Sequence, residues 1–318
     1  MPEADYRFDL IDGSREGPTA DSSVLFRRPF VDQDASFKAD ARLFVAGAEM
    51  DTALNAAVAL GEPLLITGEP GTGKTQAAYY AAYKLGIEPV IHFQVKSESK
   101  ASDLLYHFDT IRYFRDAHLA RTLGSVDGDP LDALDKTRYV EHRPLWEAMV
   151  SETPRVLLID EIDKAPRDFP NDLLLELDKM EFTITELNQK VQAPSRQRPV
   201  VVITSNSERR LPEPFLRRCI YHHIVFDESL IGKAVERRRG QYLTLSDEFL
   251  ALAIRRFLAL RERNLRKRPA LGELLVWLRA LALATDTEPG RLNGDLADLP
   301  YLGVLLKNHQ DIEDLSRR

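Results

Sequence analysis

The sequence is poor in cysteine and lacks long apolar runs, and both absences exclude classes of protein. Cys219 is the single cysteine among 318 residues, so no intrachain disulfide can form, which fits a reducing compartment. The apolar stretches are short and interrupted by charges, which predicts no membrane span. Residues 1–13 have no apolar core, so we expect no signal peptide. Together these features predict a cytoplasmic protein.

An excess of positive charge is also lacking, since 43 Lys and Arg stand against 50 Asp and Glu, giving a net charge of -7. This balance argues against a whole surface built for nucleic acid or anionic membrane, although a local basic patch is compatible with it. We interpret the basic run Arg261–Arg268 as a solvated helix end. Clusters of Cys and His with zinc spacing are absent from the sequence. We therefore expect neither a nucleic-acid partner nor a zinc site.

Five short apolar runs, separated by helical segments, occupy the first two thirds of the chain. Buried runs of this length predict the strands of a parallel sheet covered on both faces. The predicted strands are Pro63–Thr67, Pro89–Val95, Arg155–Asp160, Pro199–Thr204 and Tyr221–Phe226. After Asp227 only helical patterns follow, at Leu230–Arg239, Asp247–Arg263, Ala270–Ala284 and Leu296–Leu306.

The predicted fold class is therefore α/β, with a five-stranded parallel sheet flanked by helices and followed by a small all-helical domain. We expect an N-terminal arm over residues 1–35, an α/β domain over 36–226 and the helical domain over 227–318.

The stretch GEPGTGKTQ joins the first predicted strand to a helix. Gly68, Gly73, Lys74 and Thr75 match the pattern G-x-x-x-x-G-K-[ST] in its expected strand–loop–helix context. Glycines allow backbone N–H groups to surround phosphate oxygens, and a helix N-terminus adds positive field. Lys74 is predicted to pair with the outer phosphates, and Thr75 to bind Mg²⁺. The predicted nucleotide-binding residues here are Gly68, Glu69, Pro70, Gly71, Thr72, Gly73, Lys74, Thr75 and Gln76.

The third predicted strand ends in two acidic residues, in the stretch RVLLIDEID. A carboxylate at a strand tip near a phosphate loop can hold Mg²⁺, often through water, so we assign Asp160 to the metal. The following carboxylate, Glu161, can act as the general base that polarises the attacking water. A solvated turn is the alternative for an isolated acidic pair, but a phosphate loop upstream favours the functional interpretation.

Polar side chains also follow the fourth predicted strand. Asn206 comes directly after this strand and is predicted to help orient the water. Arg217 and Arg218 lie further on, where the usual interpretation is a surface ion-pair site. The alternative is an arginine finger, which stabilises charge on the γ-phosphate and would act here on a neighbouring subunit.

Taken together, these stretches resemble the AAA+ ATPases and, within them, the MoxR family. The resemblance spans most of residues 35–226, and LPEPFLRR, in phase with Asn206, is its AAA+-specific part. It implies an ATP-driven ring, usually a hexamer, with ATP at the subunit interfaces. The matching positions are Gly68–Thr75 for Walker A, Asp160 and Glu161 for Walker B, Asn206 for sensor 1, Arg218 for the finger, and Phe44 and Val45 for the adenine contact.

Some positions depart from the family pattern or match it less closely. Arg217 stands where the family often has an acid, so its role stays open. For the lid arginine called sensor 2 we favour Arg268 over Arg279, with Pro269 expected at the first helical position. The resemblance also implies two hairpins that grip a client, for which Ser102–Val140 and Phe182–Arg198 are the candidates. Ordinary surface loops are the alternative for both.

The resemblance implies an ATPase that remodels or activates a client protein, usually together with a partner that carries a von Willebrand factor A domain. Two alternatives stay open at this point. One is a nucleic-acid motor of the same fold, which DNA-stimulated turnover would favour. The other is a nucleotide-gated scaffold without hydrolysis, which Glu161, Asn206 and Arg218 argue against. The motifs do not distinguish ATP from GTP.

Overall fold

The computed structural model describes residues 33–122, 134–194, 197–284 and 288–317. Most of the predicted N-terminal arm therefore lies outside the described residues, as do parts of both candidate hairpin segments. The chain divides into two compact units. We call 46–68 with 77–224 the sheet unit, and the described residues of 1–45, 69–76 and 225–318 the helical unit. The predicted domain bounds stay a prediction, and the phosphate loop groups with the helical unit.

The sheet unit contains the five-stranded parallel sheet that the sequence predicts. Its strands are β1 (Leu64–Gly68), β2 (Ile91–Gln94), β5 (Val156–Asp160), β8 (Val200–Ser205) and β9 (Ile220–Ile224). They lie side by side in the order β2-β5-β8-β1-β9. All residues of β1 and β5 are buried, as expected for central strands covered on both faces. The predicted α/β fold class is therefore confirmed.

Three strands begin later than the prediction, which started each of them at a proline. Proline has no N–H to donate to the ladder, so it stands before the strand instead of inside it. β1, β2 and β8 accordingly begin one or two residues after Pro63, Pro89 and Pro199.

Helices of the sheet unit connect and cover the strands. Their bounds are α2 (Ala48–Leu60), α3 (Lys74–Leu85, whose first three residues belong to the helical unit), α4 (Ser102–Leu105), α5 (Thr110–Thr122), α6 (Pro144–Val150), α7 (Phe169–Asp172), α8 (Leu174–Lys179) and α9 (Glu213–Leu216). α2 ends where Gly61 adopts the left-handed conformation at φ 69° and closes the helix. The sequence therefore marks this helix end directly.

Each candidate hairpin segment takes part in a strand pair, but the second strand of the first pair continues to His142, two residues beyond the predicted segment Ser102–Val140. β3 (Tyr106–Phe108) pairs with β4 (Val140–His142), and β6 (Glu181–Ile184) pairs with β7 (Gln189–Gln192), in each case antiparallel. The first pair encloses α5, so this segment is a helix-bearing insertion. Tyr106 stacks on Phe182 with ring centroids 6.1 Å apart, which joins the two insertions.

The helical unit is built from amphipathic helices around its own apolar core. Its helices are α1 (Gln33–Asp40), α10 (Glu228–Arg237), α11 (Asp247–Arg261), α12 (Leu271–Leu283), α13 (Leu302–Leu305) and α14 (His309–Ser316). Ser246 caps α11 by accepting the N–H of Phe249 at 3.1 Å. Trp277 and Phe257 are fully buried in this core.

Two local expectations for the helical unit are wrong. The predicted helix Leu296–Leu306 is a 3-10 turn at Leu296–Asp298 followed by α13, because Pro300 interrupts the helical hydrogen bonds. Pro269 does not open α12, which begins at Leu271. Glu273 accepts the N–H of Ala270 at 3.0 Å and so fixes the helix start after the proline.

Among the described residues, no single helix has the length and apolar character needed to cross a membrane. Only a bent pair, 37–43 with Ala48–Leu60, reaches these criteria when the two helices are joined.

Candidate functional site

The acidic end of β5 is tied to the neighbouring strand β8 by a buried threonine. Asp160 is only 5% exposed. Thr204 donates its hydroxyl to Oδ1 of Asp160 and accepts the backbone N–H of Glu161 at 2.8 Å. Because the carboxyl ends of parallel strands meet at one edge of the sheet, a single hydroxyl can fix both acidic residues. Sequence reasoning did not identify Thr204.

Glu161 holds an unusual backbone conformation, with φ 60° and ψ 51°. Its side chain accepts hydrogen bonds from three groups. Nδ2 of Asn206 lies 3.0 Å from Oε1, Nε2 of Gln94 lies 2.7 Å from Oε2, and the ammonium of Lys164 also contacts Oε2. The structure thus brings together Glu161 and Asn206, both singled out by sequence. Left-handed backbone in a residue other than glycine is uncommon and recurs at functional sites.

A histidine also lies beside Asp160. Nε2 of His92 is 3.4 Å from Oδ2 of Asp160, and Nδ1 of His92 lies 3.2 Å from the hydroxyl of Tyr79. The contact with Tyr79 holds the imidazole next to the carboxylate. His92 precedes the register partner of Asp160 by two residues on β2, where the sequence carries no signal for it.

The loop that carries Asn206 is anchored by a buried acid. Asp163 is 3% exposed and accepts the N–H groups of Asn206 at 3.2 Å and of Glu208 at 2.9 Å. A buried carboxylate that accepts backbone N–H groups holds their loop firmly. Asp163 therefore sets the position of Asn206 against the turn that follows β5.

The phosphate loop belongs to the helical unit, where its glycines pack closely. Gly71 and Gly73 have φ of +79° and +91°, which other residues rarely adopt. A methyl group at Gly73 would lie 2.9 Å from the ring of Phe44, and one at Gly71 would lie 2.7 Å from Oε2 of Glu273. The carbonyl of Gly71 accepts the N–H of Gly272 at 3.0 Å. Both glycines are thus required on conformational and steric grounds.

Two polar side chains in this region, those of Lys74 and Gln76, are buried. Lys74 is 6% exposed and donates to the carbonyl of Glu69 at 3.0 Å, and the hydroxyl of Thr72 donates to the same carbonyl at 2.8 Å. Gln76 is 8% exposed and donates to the carbonyl of Phe37 at 2.8 Å. Pro70 is exposed, and Thr75 and Val45 are half-buried. The roles predicted for these residues stay predictions.

Arg261 begins the basic run that the sequence analysis interpreted as a solvated helix end, but its side chain is only 11% exposed and reaches the phosphate loop. The guanidinium of Arg261 lies 3.5 Å from the ring centroid of Phe226, and its Nη2 is 4.0 Å from Oε2 of Glu69. It also donates to the carbonyl of Pro269. Burial lowers the pKa of Arg261 from its ordinary value, Glu69 opposes this shift, and the like charge of Arg268 adds to it.

The predicted sensor 2 residue Arg268 is exposed and lies close enough to Arg261 for their charges to repel. Arg279 lies near enough to Tyr242 for its positive charge to affect the pKa of that phenol. Arg261 is the arginine with a described contact to the loop. The position of Arg261 depends on how α11 packs, and no local pattern in the sequence predicts that packing.

The predicted finger residue Arg218 has its contacts elsewhere in the sheet unit. Its Nε lies 3.8 Å from Oδ2 of Asp178, and its Nη1 donates to the carbonyl of Pro214 at 3.3 Å. Arg217 and Arg218 are both exposed at the end of α9. An exposed pair of cations is compatible with action on a neighbouring molecule, and the role of both residues stays a prediction.

The residues of the phosphate loop fit a nucleotide, and the carboxylate of Asp160 and the hydroxyl of Thr75 are groups that fit a hard divalent cation. The loop has the glycine conformations that turn backbone N–H groups inward, and it carries a buried lysine at the start of a helix. Asp160 is a buried carboxylate at the end of a strand, which is a ligand type that Mg²⁺ prefers. Thr75 supplies a hydroxyl one residue after Lys74.

Residues 63–219 match the family model of the AAA domain, dynein-related subfamily. This segment of the chain is therefore similar to an AAA domain, a class of domain that binds nucleotide. The match includes the phosphate loop, the acidic pair, Asn206 and Arg218. Together with the parallel sheet, it supports an AAA+ ATPase.

Comparison with the curated proteins finds none that matches the chain. One solved structure, described as a "putative ATPase" from Cytophaga hutchinsonii ATCC 33406, is 15% identical, with 89% of this chain and 92% of that chain covered. The TM-score is 0.40.

Proposed function

We propose that the chain is an ATPase that binds ATP with Mg²⁺ and hydrolyses it by in-line attack of water. The observation that supports this most strongly is the arrangement around Glu161. Its carboxylate lies 3.0 Å from the side-chain amide of Asn206 and directly follows the buried Asp160. A base, a water-orienting amide and a metal ligand at neighbouring strand ends are the groups that phosphoryl transfer to water requires.

Each group has a separate role in this proposal. Lys74 and the backbone N–H groups of the loop bind and stabilise the phosphate charge, and Thr75 and Asp160 hold the metal. Glu161 accepts the proton of the attacking water, while Asn206 holds that water in line. Mg²⁺, when bound, neutralises charge that develops on the phosphate oxygens.

We further propose that the chain works as a ring of identical subunits, six in number by the resemblance to MoxR proteins. The exposed Arg218 would then act as the finger on the site of a neighbouring subunit. In this proposal, hydrolysis drives remodelling or activation of a client protein, together with a partner that carries a von Willebrand factor A domain. Client and partner rest on the MoxR resemblance alone.

The test is steady-state phosphate release from ATP by wild type and Glu161→Gln, with particle mass recorded in the same buffer. We expect turnover by wild type, loss of about 100-fold or more in the variant, and an ATP-dependent assembly of the variant. If neither protein hydrolyses ATP and both stay monomeric, the chain is a nucleotide-gated binding module or needs its partner to assemble.

A further inference from the structure

A cleft of about 640 Å³ lies between the turn that follows β5 and the loop that follows Asn206. Ligand pockets in proteins have volumes of roughly 300–1,000 Å³, so this cleft is too large for a single ion and large enough for several side chains. The apolar residues that line it are Ile162, Ala165, Pro166, Pro170, Leu211 and Pro212. Such a lining favours aliphatic side chains over water.

The two walls of the cleft are held together by contacts within the sheet unit. Nη1 of Arg209 donates to the carbonyl of Ala165 at 3.1 Å, which joins one wall to the other. Asp163 joins them a second time, because its carboxylate accepts the N–H groups of Asn206 and Glu208. Three of the lining residues are prolines, whose φ is fixed by the ring. A cleft of fixed shape loses little conformational entropy when a ligand fills it.

Three arginines also line the cleft, and they differ in how far their donors are used. Arg210 pairs with Glu213 at 3.0 Å, whereas Arg209 uses one nitrogen for the carbonyl of Ala165. Arg167 is exposed, and it has no hydrogen bond or ion pair within the part of the chain that the structure describes. A guanidinium presents several N–H donors in one plane, so Arg167 and Arg209 can each still bind a carboxylate.

The acidic residues of the cleft limit which anion it can hold. Asp163 has both oxygens bonded to backbone N–H groups, and Glu213 is paired with Arg210. Asp168 lines the cleft as well, so the surplus of positive charge is small. A nucleic-acid backbone carries a charge at every phosphate and would meet Asp168 and Glu213 as well as the arginines. A peptide whose carboxylates are separated by apolar side chains fits this mixed pattern better.

We propose that this cleft binds an extended acidic peptide segment of a partner protein, with aliphatic side chains on the apolar lining and carboxylates on Arg167 and Arg209. Successive side chains of an extended peptide point to opposite sides, so a single segment can make both kinds of contact. The walls of the cleft follow Glu161 and Asn206 directly in the chain. Binding of the peptide does not require the proposed ATPase function, since only protein groups hold the cleft together.

The experiment measures the fluorescence anisotropy of a labelled short peptide that alternates leucine and glutamate, titrated with the full chain without ATP. We expect saturable binding with a Kd below about 1 mM. One control peptide alternates leucine and lysine, and the other alternates serine and glutamate. Each should bind about tenfold more weakly, because the first lacks the carboxylates and the second lacks the apolar contact.

Arg167→Glu tests the cleft itself. Reversal of this exposed charge should weaken binding of the leucine–glutamate peptide about fivefold and strengthen binding of the leucine–lysine peptide by a similar factor. Arg121→Glu is the matched control. Arg121 is another exposed arginine of the sheet unit for which the described residues provide no hydrogen bond or ion pair, and its reversal should change neither affinity.

Absence of saturable binding of the leucine–glutamate peptide up to about 1 mM would overturn the proposal. Equal weakening by Arg121→Glu and Arg167→Glu would mean that overall charge attracts the peptide, and not the cleft. Tighter binding of labelled single-stranded oligothymidine, lost in Arg167→Glu, would make the cleft a nucleic-acid site instead. Self-association of wild type that Arg167→Glu abolishes, seen by light scattering without any peptide binding, would make it an interface between copies of the chain.

Discussion

The phosphate loop and the acidic strand end are shaped by different parts of the chain. In the helical unit, the loop is shaped mainly by its backbone, with positive φ at Gly71 and Gly73 and a carbonyl of Glu69 that accepts Lys74. In the sheet unit, the acidic end is shaped by side chains, with Thr204 and Asp163 fixing their neighbours.

Each region is therefore expected to control a different part of the reaction. A loop of backbone donors and one buried cation recognises phosphate, so its disruption should weaken binding. A set of carboxylates and amides on strand ends handles water and metal, so its disruption should stop the chemistry and leave binding in place. Substitutions in the two regions should therefore separate affinity from turnover.

The largest effect on affinity is expected from Lys74→Ala. Loss of a buried cation that pairs with phosphate should weaken ATP binding about 100-fold, measured by isothermal titration calorimetry. Lys84→Ala is the control, since Lys84 is exposed at the other end of α3. Equal affinity of Lys74→Ala and wild type would remove the loop from the binding site and break the comparison.

A smaller loss of ATP affinity is expected from Gly73→Ala, which tests the steric requirement for glycine at this position. The new methyl group would lie 2.9 Å from the ring of Phe44 at a strained φ of +91°. Strain of this kind costs about 2 kcal/mol, or roughly 30-fold in ATP affinity if the loop shifts. Gly86→Ala is the control for a strained alanine outside the loop, because Gly86 also has positive φ (+66°) with open space around it, and it should bind ATP as wild type does. The idea fails if both variants bind ATP as wild type does.

The smallest effect is expected from Asp311→Ala, which tests the helical unit alone. Asp311 is 1% exposed and accepts the N–H groups of Arg266 at 2.9 Å and of Lys267 at 3.2 Å. Burial opposes its ionisation, but these hydrogen bonds outweigh it and lower the pKa of Asp311. Loss of the carboxylate should reduce the free energy of unfolding by about 1.5 kcal/mol.

The sign of the pH dependence follows from that lowered pKa. A carboxyl group with a depressed pKa contributes stability above its unfolded value, near 3.9, and loses it as the pH falls through the folded value. The difference between wild type and Asp311→Ala in urea unfolding should therefore be present at pH 7 and shrink below about pH 4. A difference that is constant across this range would contradict the assignment.

Much of the fold could be predicted from the sequence because apolar runs and prolines mark the strands. The acidic pair and Asn206 could be predicted because each directly follows such a run. Gln94 and Thr204 were not, because their contacts depend on which strands are neighbours, and strand order is set by long-range packing. Once β2 is known to pair with β5, the register places Gln94 opposite Asp160.

One local motif predicts the phosphate-loop residues, but nothing in the sequence predicts the side chains that surround them. Arg261 reaches Glu69 only because α11 ends near the loop, and no spacing in the sequence records that contact. The same limit applies to Arg167. An exposed arginine is common on any surface, and only the cleft that Arg167 lines gives it significance.

The most direct test of the account is single-turnover cleavage of ATP with protein in excess, comparing wild type with Glu161→Gln. Under these conditions all ATP is bound, so the rate reports the chemical step and not affinity. We predict that wild type cleaves the bound ATP. Glu161→Gln should bind ATP equally well but cleave it about 100-fold more slowly than wild type, or not at all. Equal cleavage rates in the two proteins would contradict the assignment of Glu161 as the base.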